Sequence, residues 1–228
     1  MQLTPETITR IMSVAPAQFG HFLQHGFMHP RIKPVVPWFK MVGPAYTVRA
    51  TERDGSALYY GIMKAPKGAV IVVDRGGEDI FACAGDQLAL MMKHRELGGL
   101  VVDGPATDRI GLEKLGFPVF CTGFSPVTTL CTGTNGEVQI PIQCGGAVVA
   151  PGDIVFGDAD GVVILPEDFD EELLVKAEKM TYNDKVRAEK VEKEGYKFLR
   201  RDDFDVEKFF EFDKASVFNE IKKKCRPE

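Results

Sequence analysis

Two hydrophobic periods alternate along the first 165 residues. Short β-branched runs read as strands at 42–48, 69–74, 100–103, 119–122, 138–142, 147–149, 154–156 and 162–165. Between them, apolar positions at helical spacing predict helices over 87–97 and 110–115. Strands alternating with helices, followed by β pairing in the second half, predict an α/β chain. After residue 165 the pattern changes. Leu173, Leu174, Ala177, Met180, Val186 and Val191 recur at helical spacing and predict helices over 171–179 and 182–194. A further amphipathic segment, 206–224, sets Phe209, Phe210, Phe212, Val217, Phe218 and Ile221 among charges. It reads as a helix that packs on the body or on another subunit.

Composition narrows the class. The chain has 228 residues, 44% hydrophobic and 27% charged, enough apolar side chain for one domain with an appendage. No apolar run approaches the roughly 20 residues of a membrane span. Glu6 stands where a secretory signal needs apolar sequence, so no export is expected. A net charge of −5 gives no electrostatic footprint for nucleic acid. Residues 166–228 hold 33 of the 61 charged side chains, but with 18 acidic and 15 basic groups they form neither an acidic nor a basic arm. The five cysteines (83, 121, 131, 144 and 225) form no C-x-x-C pair; 83, 121 and 144 read as buried small hydrophobes, and a cytoplasmic location fits best.

Candidate chemistry concentrates in residues 85–108. Gly85 and Asp86 open a helix, whose first backbone N–H groups form a seat for a carboxylate or phosphate. The next strand ends in Asp103-Gly104-Pro105-Ala106-Thr107-Asp108. Ligands of α/β sheets bind at the carboxyl ends of strands, and two aspartates there suit Mg²⁺ or Mn²⁺ through hard oxygen ligands. Spacing alone favours the plainer reading, in which Asp103 caps a turn and Asp108 caps the helix after it. His21, His25 and His29 stand at i, i+4 and i+8, but Gly20, Gly26 and Pro30 interrupt any helix that would align them. Gly157 to Gly161 superficially resembles a calcium loop, but it lacks the downstream Glu and reads as a tight turn.

The run GDQLALMMKHRELGGLVVDGPATD, with Val42-Gly43-Pro44-Ala45, Gly145-Gly146 and Pro151-Gly152-Asp153 through Val163, resembles the family of regulator of ribonuclease activity A and the divalent-metal-dependent 4-hydroxy-4-methyl-2-oxoglutarate aldolases. The resemblance spans about residues 10–195. It implies an α/β/β sandwich of the swivelling-domain type over 1–195; residues 196–228, which the resemblance does not cover, read from their apolar spacing as a helical C-terminal extension. It also implies trimers or hexamers with active sites between subunits. In this reading Asp108 binds Mg²⁺ or Mn²⁺, Asp86 assists through water, and Gly85 with the amides of Gln87 and Leu88 holds the carboxylate of a 2-oxo acid. An acidic residue from another subunit completes the outer shell, placed at Asp184 with Glu189 as the alternative. The function implied is a metal-dependent lyase, of aldolase or decarboxylase type, acting on a small 2-oxo or hydroxy acid through an enolate. Two alternatives stand beside it: a non-catalytic ring that binds another protein, and a sugar-acid dehydratase or isomerase on the same metal site. One position departs from the family pattern. The Arg of its Asp-Gly-x-x-Arg-Asp motif is Thr107 here, and Arg109, two positions on, is the nearest cation that could take the part.

Overall fold

The computed structural model describes residues 3–195. Helix α1 (Pro5–Ser13) starts at Thr4, whose hydroxyl accepts the Thr7 N–H, with Pro5 where a helix needs no donor. There follow α2 (Pro16–Phe19), β1 (Lys33–Pro34), β2 (Met41–Arg49), α3 (Ser56–Lys64), β3 (Val70–Asp74), α4 (Asp86–His94) and β4 (Gly99–Val102). Then come β5 (Pro105–Ala106), α5 (Arg109–Leu115), β6 (Val119–Cys121), β7 (Gly123–Phe124), β8 (Glu137–Val138), β9 (Ile142–Cys144) and β10 (Ala147–Val149). The series closes with β11 (Ile154–Asp158), β12 (Gly161–Leu165) and α6 (Glu171–Glu194).

The main sheet runs β1-β6-β4-β3-β2-β11-β12, with β8 also paired to β2. Its centre, β2-β3-β4-β6, is parallel, and β1, β8, β11 and β12 join antiparallel. Alternation along these strands builds the layers. Ile71, Val73, Leu100 and Val102 face the helices, where Leu58, Ile62, Ala89, Met92 and Leu112 meet them. Val70, Val72 and Val101 face the other way, onto Ile142, Cys144, Ala147 and Val149 of the β9–β10 hairpin. The result is an α/β/β sandwich. A third apolar cluster joins α1 and α2 to β11, β12 and the start of α6, with Phe19 edge-on to Phe156 and Phe169.

Two local expectations are corrected, and one helix was not foreseen. The helices read over 171–179 and 182–194 are one helix, α6: Met180 and Thr181 contain no breaker, and the Thr181 hydroxyl donates back to the Ala177 carbonyl. The strand read over 138–142 is broken, because Gln139 is left-handed (φ +56°) and Pro141 offers no N–H to a ladder. Helix α3 went unread because Gly61 and two tyrosines interrupt its pattern. A side chain at Gly61 would begin 2.9 Å from Val48 Cγ2, so the glycine lets α3 lie close on the sheet.

The loop before α3 carries a buried carboxylate with seven donors. Asp54 accepts from the Ser56 amide and hydroxyl and the Thr132 amide on one oxygen. The Thr132 and Thr134 hydroxyls and the Thr134 and Asn135 amides serve the other. These hydrogen bonds, first from Ser56 and Thr132, hold the Asp54 carboxyl well below the usual carboxylate range.

The first compact unit extends to Thr181 and a second begins at Tyr182. Among the described residues, no helix is long and apolar enough to cross a membrane. The amphipathic segment read at 206–224 lies outside the described residues.

Candidate functional site

The crossovers β3-α4-β4 and β4-α5-β6 place α4 and α5 side by side on one face of the sheet. The starts of both helices lie beyond the carboxyl ends of parallel strands, where α/β sheets bind ligands. A backbone hydrogen bond, Thr107 N–H to the Ala84 carbonyl at 2.9 Å, joins the segment leading into α4 to the one leading into α5. The motif residues Gly85, Asp86, Thr107 and Asp108 are thereby brought together.

The two aspartates of the strand-end motif have separate tasks. Asp103 accepts the Gly145 amide at 2.7 Å and the Arg31 guanidinium at 2.6 Å, and so ties its turn to the β9–β10 hairpin. Asp108 stands at the N-cap position of α5 but does not cap it. Its backbone is left-handed (φ +55°, ψ +43°), and no cap hydrogen bond leaves its side chain. The carboxylate instead lies against Gly85: an ideal Cβ built there would stand 2.2 Å from Asp108 Oδ2 and 2.7 Å from Thr107 Cγ2. A non-glycine residue in the left-handed region costs about 1 kcal/mol or more, and Asp is among the few that adopt it readily.

The relation recurs in reverse one turn on. An ideal Cβ at Gly111 of α5 would stand 2.3 Å from Asp86 Oδ2. Each carboxylate occupies the space left by a glycine on the other helix start. Among the described residues, Asp86 accepts only the Gln87 side-chain amide, at 3.3 Å, and the Asp108 side chain accepts no hydrogen bond. Gln87 is exposed and Leu88 half-buried, and the N–H groups of this first turn of α4 are helix-start donors.

Such a donor set suits a hydrated divalent cation. Mg²⁺ is held by one or two carboxylates and keeps several waters for substrate to displace, and the carboxylates of Asp108 and Asp86, one at each helix start, are ligands of that kind. A fully caged ion is another matter. Among the described residues no three His, Cys, Asp or Glu side chains form a metal-binding group. His21, His25 and His29 are exposed and non-helical, as Gly20, Gly26 and Pro30 require; His29 Nδ1 accepts the Arg31 amide. Asp158 in the hairpin turn accepts the Asp160 amide, as a tight turn requires. Asp184, on the second unit, is exposed and 3.8 Å from Arg187 of the same helix; Glu189 is exposed further along.

Arg109 is already engaged. Its Nε donates to Glu113 at 2.8 Å, and its guanidinium lies 5.4 Å from the Phe124 ring centre. Phe124 belongs to β7, which pairs with β5 beside Ala106, and the Ser125 amide donates to the Ala106 carbonyl. The segment 122–129 therefore walls the approach to Thr107, with Ala82 bridged to Thr128 behind it. Sequence reading found neither this wall nor Gly111. A glycine inside a helical run was the available signal for Gly111, since it marks a close approach.

Cys83, two residues before Gly85, is buried, and desolvation pushes its thiol up to about 11 despite the Arg75 charge. It is a packing residue rather than a nucleophile.

Fold and site together define a mixed α/β protein with a carboxylate-bearing helix junction at the carboxyl ends of its parallel strands. The sequence matches the RraA-like family (Aldolase/RraA) over residues 13–164, and the chain belongs to that family. A relative in Halalkalibacterium halodurans, provisionally named a 4-hydroxy-4-methyl-2-oxoglutarate aldolase, is 39% identical over 156 residues, 68% of this chain and 74% of that one. Among solved structures, RraAS2 of Streptomyces coelicolor, described as an unusual member of the RNase ES inhibitor RraA family, aligns with a TM-score of 0.71. It is 25% identical and matches 82% of this chain and 97% of its own. The RNA-processing inhibitor RraA from Thermus thermophilis aligns with a TM-score of 0.59 at 25% identity, over 65% of this chain and 89% of its own.

Proposed function

We propose that this protein is a divalent-metal-dependent carbon–carbon lyase acting on a small 2-oxo or hydroxy acid. The observation that carries the reading is the Asp108 carboxylate, seated over Gly85 at the start of α4 and left without a hydrogen-bond donor among the described residues. Asp108 holds Mg²⁺ or Mn²⁺, with Asp86 linked through water. The Gln87 and Leu88 amides orient the substrate carboxylate at the positive end of α4. A bound divalent ion supplies Lewis acidity at the 2-oxo group. Asp86 accepts or returns a proton through water, and the Thr107 hydroxyl gives one uncharged hydrogen bond where the family pattern has a guanidinium. Loss of such a charged donor costs on the order of a hundred- to a thousandfold in rate, so the ordinary aldol substrate is a poor one. In this reading copies assemble as a trimer or hexamer in the cytoplasm, and Asp184 of another copy, or Glu189, serves the outer shell.

A second reading, a non-catalytic ring that binds another protein, draws on one observation. Thr107 carries no charge, and Arg109 is held by Glu113 and Phe124. One experiment separates the two. Pyruvate release from 4-hydroxy-4-methyl-2-oxoglutarate and decarboxylation of oxaloacetate are followed with Mg²⁺, Mn²⁺ or chelator, alongside Mn²⁺ calorimetry. Metal-dependent turnover supports the lyase; no turnover together with no Mn²⁺ binding supports the regulator.

A further inference from the structure

Resting on the lyase reading, we infer that Gly111 is a positioning residue of this site: its missing side chain is the seat of the Asp86 carboxylate. Nothing in the backbone asks for glycine here. Gly111 lies inside α5 and is absent from the left-handed positions, so helix propensity alone favours alanine. Close packing of α5 against neighbouring backbone is not the reason either. The three atoms nearest an ideal Cβ all belong to one side chain: Asp86 Oδ2 at 2.3 Å, Cβ at 2.8 Å and Cγ at 2.9 Å.

Rotating the carboxylate does not relieve the contact at Asp86 Cβ, which is fixed to the first residue of α4. A methyl group at 111 therefore moves both the carboxylate and the start of the helix whose amides hold the substrate. Leu112, the next residue, is buried in the core and anchors α5, so α5 cannot simply tilt away. The displacement falls on Asp86.

A double-mutant cycle tests this. Gly111→Ala lowers metal-dependent kcat by about a hundredfold, the penalty of misplacing a reacting group by about 1 Å. KM for the oxo acid changes less than kcat. In an Asp86→Gly background, which removes all three obstructing atoms and the proton carrier, Gly111→Ala lowers kcat no further. Melting temperature gives a second readout independent of turnover. Gly111→Ala lowers it in the parent and lowers it less, or raises it, once Asp86 is Gly. An unchanged kcat in Gly111→Ala, or an equal loss in both backgrounds, overturns the inference. If the parent protein shows no metal-dependent turnover, the lyase reading fails, and the inference of a positioning role fails with it. The melting-temperature cycle still tells whether Gly111 seats Asp86.

Discussion

The carboxylate of Asp108 lies where a side chain on Gly85 would begin, 2.2 Å from Oδ2 to the ideal Cβ. The glycine is thus part of the acid's environment as much as of the helix start. It brings the first turn of α4 against a carboxylate that no donor among the described residues satisfies.

Asp108→Asn is expected to abolish metal-dependent turnover while leaving the fold intact. Asn tolerates the left-handed backbone (φ +55°) as Asp does, so the melting temperature stays near the parent value. Asp108→Ala removes the same ligand but adds about 1 kcal/mol of backbone strain. Turnover with Mn²⁺ and thermal melts of both variants check this; full activity in either refutes the metal assignment.

Thr107→Arg should raise pyruvate release from 4-hydroxy-4-methyl-2-oxoglutarate. A charged donor at an enolate is worth about a hundredfold or more, and a rise of about tenfold would show that a good part of it is recovered. No rise would mean that the wall at Phe124 and Ser125, rather than the missing charge, limits that substrate.

Acid should unfold the protein partly through Asp54. Its folded pKa is depressed by hydrogen bonds from Ser56, Thr132 and Thr134. The stabilisation is therefore fully present above the unfolded value of about 3.9 and is lost as pH falls below it. Asp54→Asn lowers the melting temperature at pH 7 and flattens its decline between about pH 4 and 2. An unchanged acid limb would show that other carboxylates carry it.

Thiol chemistry should follow burial. Cys83, at about 11, and the buried Cys121 and Cys144, also pushed up by desolvation, stay unmodified at pH 8 in the native protein. The exposed Cys131 reacts. Peptide mapping after brief alkylation reads this out directly; early labelling of Cys83 would mean that its surroundings open in solution.

Much of this was legible in the chain. Continuous β-branched runs marked the parallel core strands, because strands covered on both faces, as β3 and β4 are at every residue, need apolar side chains throughout. The stretch 85–108 could be singled out because glycine and aspartate at a helix start advertise free N–H groups, whatever the rest of the molecule does. Failures came where a neighbour overrides local pattern. The strand read over 138–142 breaks at Gln139, whose amide donates to the Thr47 carbonyl, and α3 tolerates Gly61 because Val48 lies beneath it.

By itself, then, the chain determined the main core strands and the helices α4 and α5, that the fold is α/β, and which acids stand at helix starts. Local chemistry and periodicity suffice for that. The tertiary structure decided that Asp103 serves the β9–β10 hairpin while Asp108 faces Gly85, and that Asp86 is seated against Gly111. Two successive crossovers in one parallel sheet lay α4 and α5 side by side, bringing together residues some 25 apart in sequence (Asp86 and Gly111). No spacing rule within either helix encodes that contact. It follows from both helices packing on the same face of the sheet.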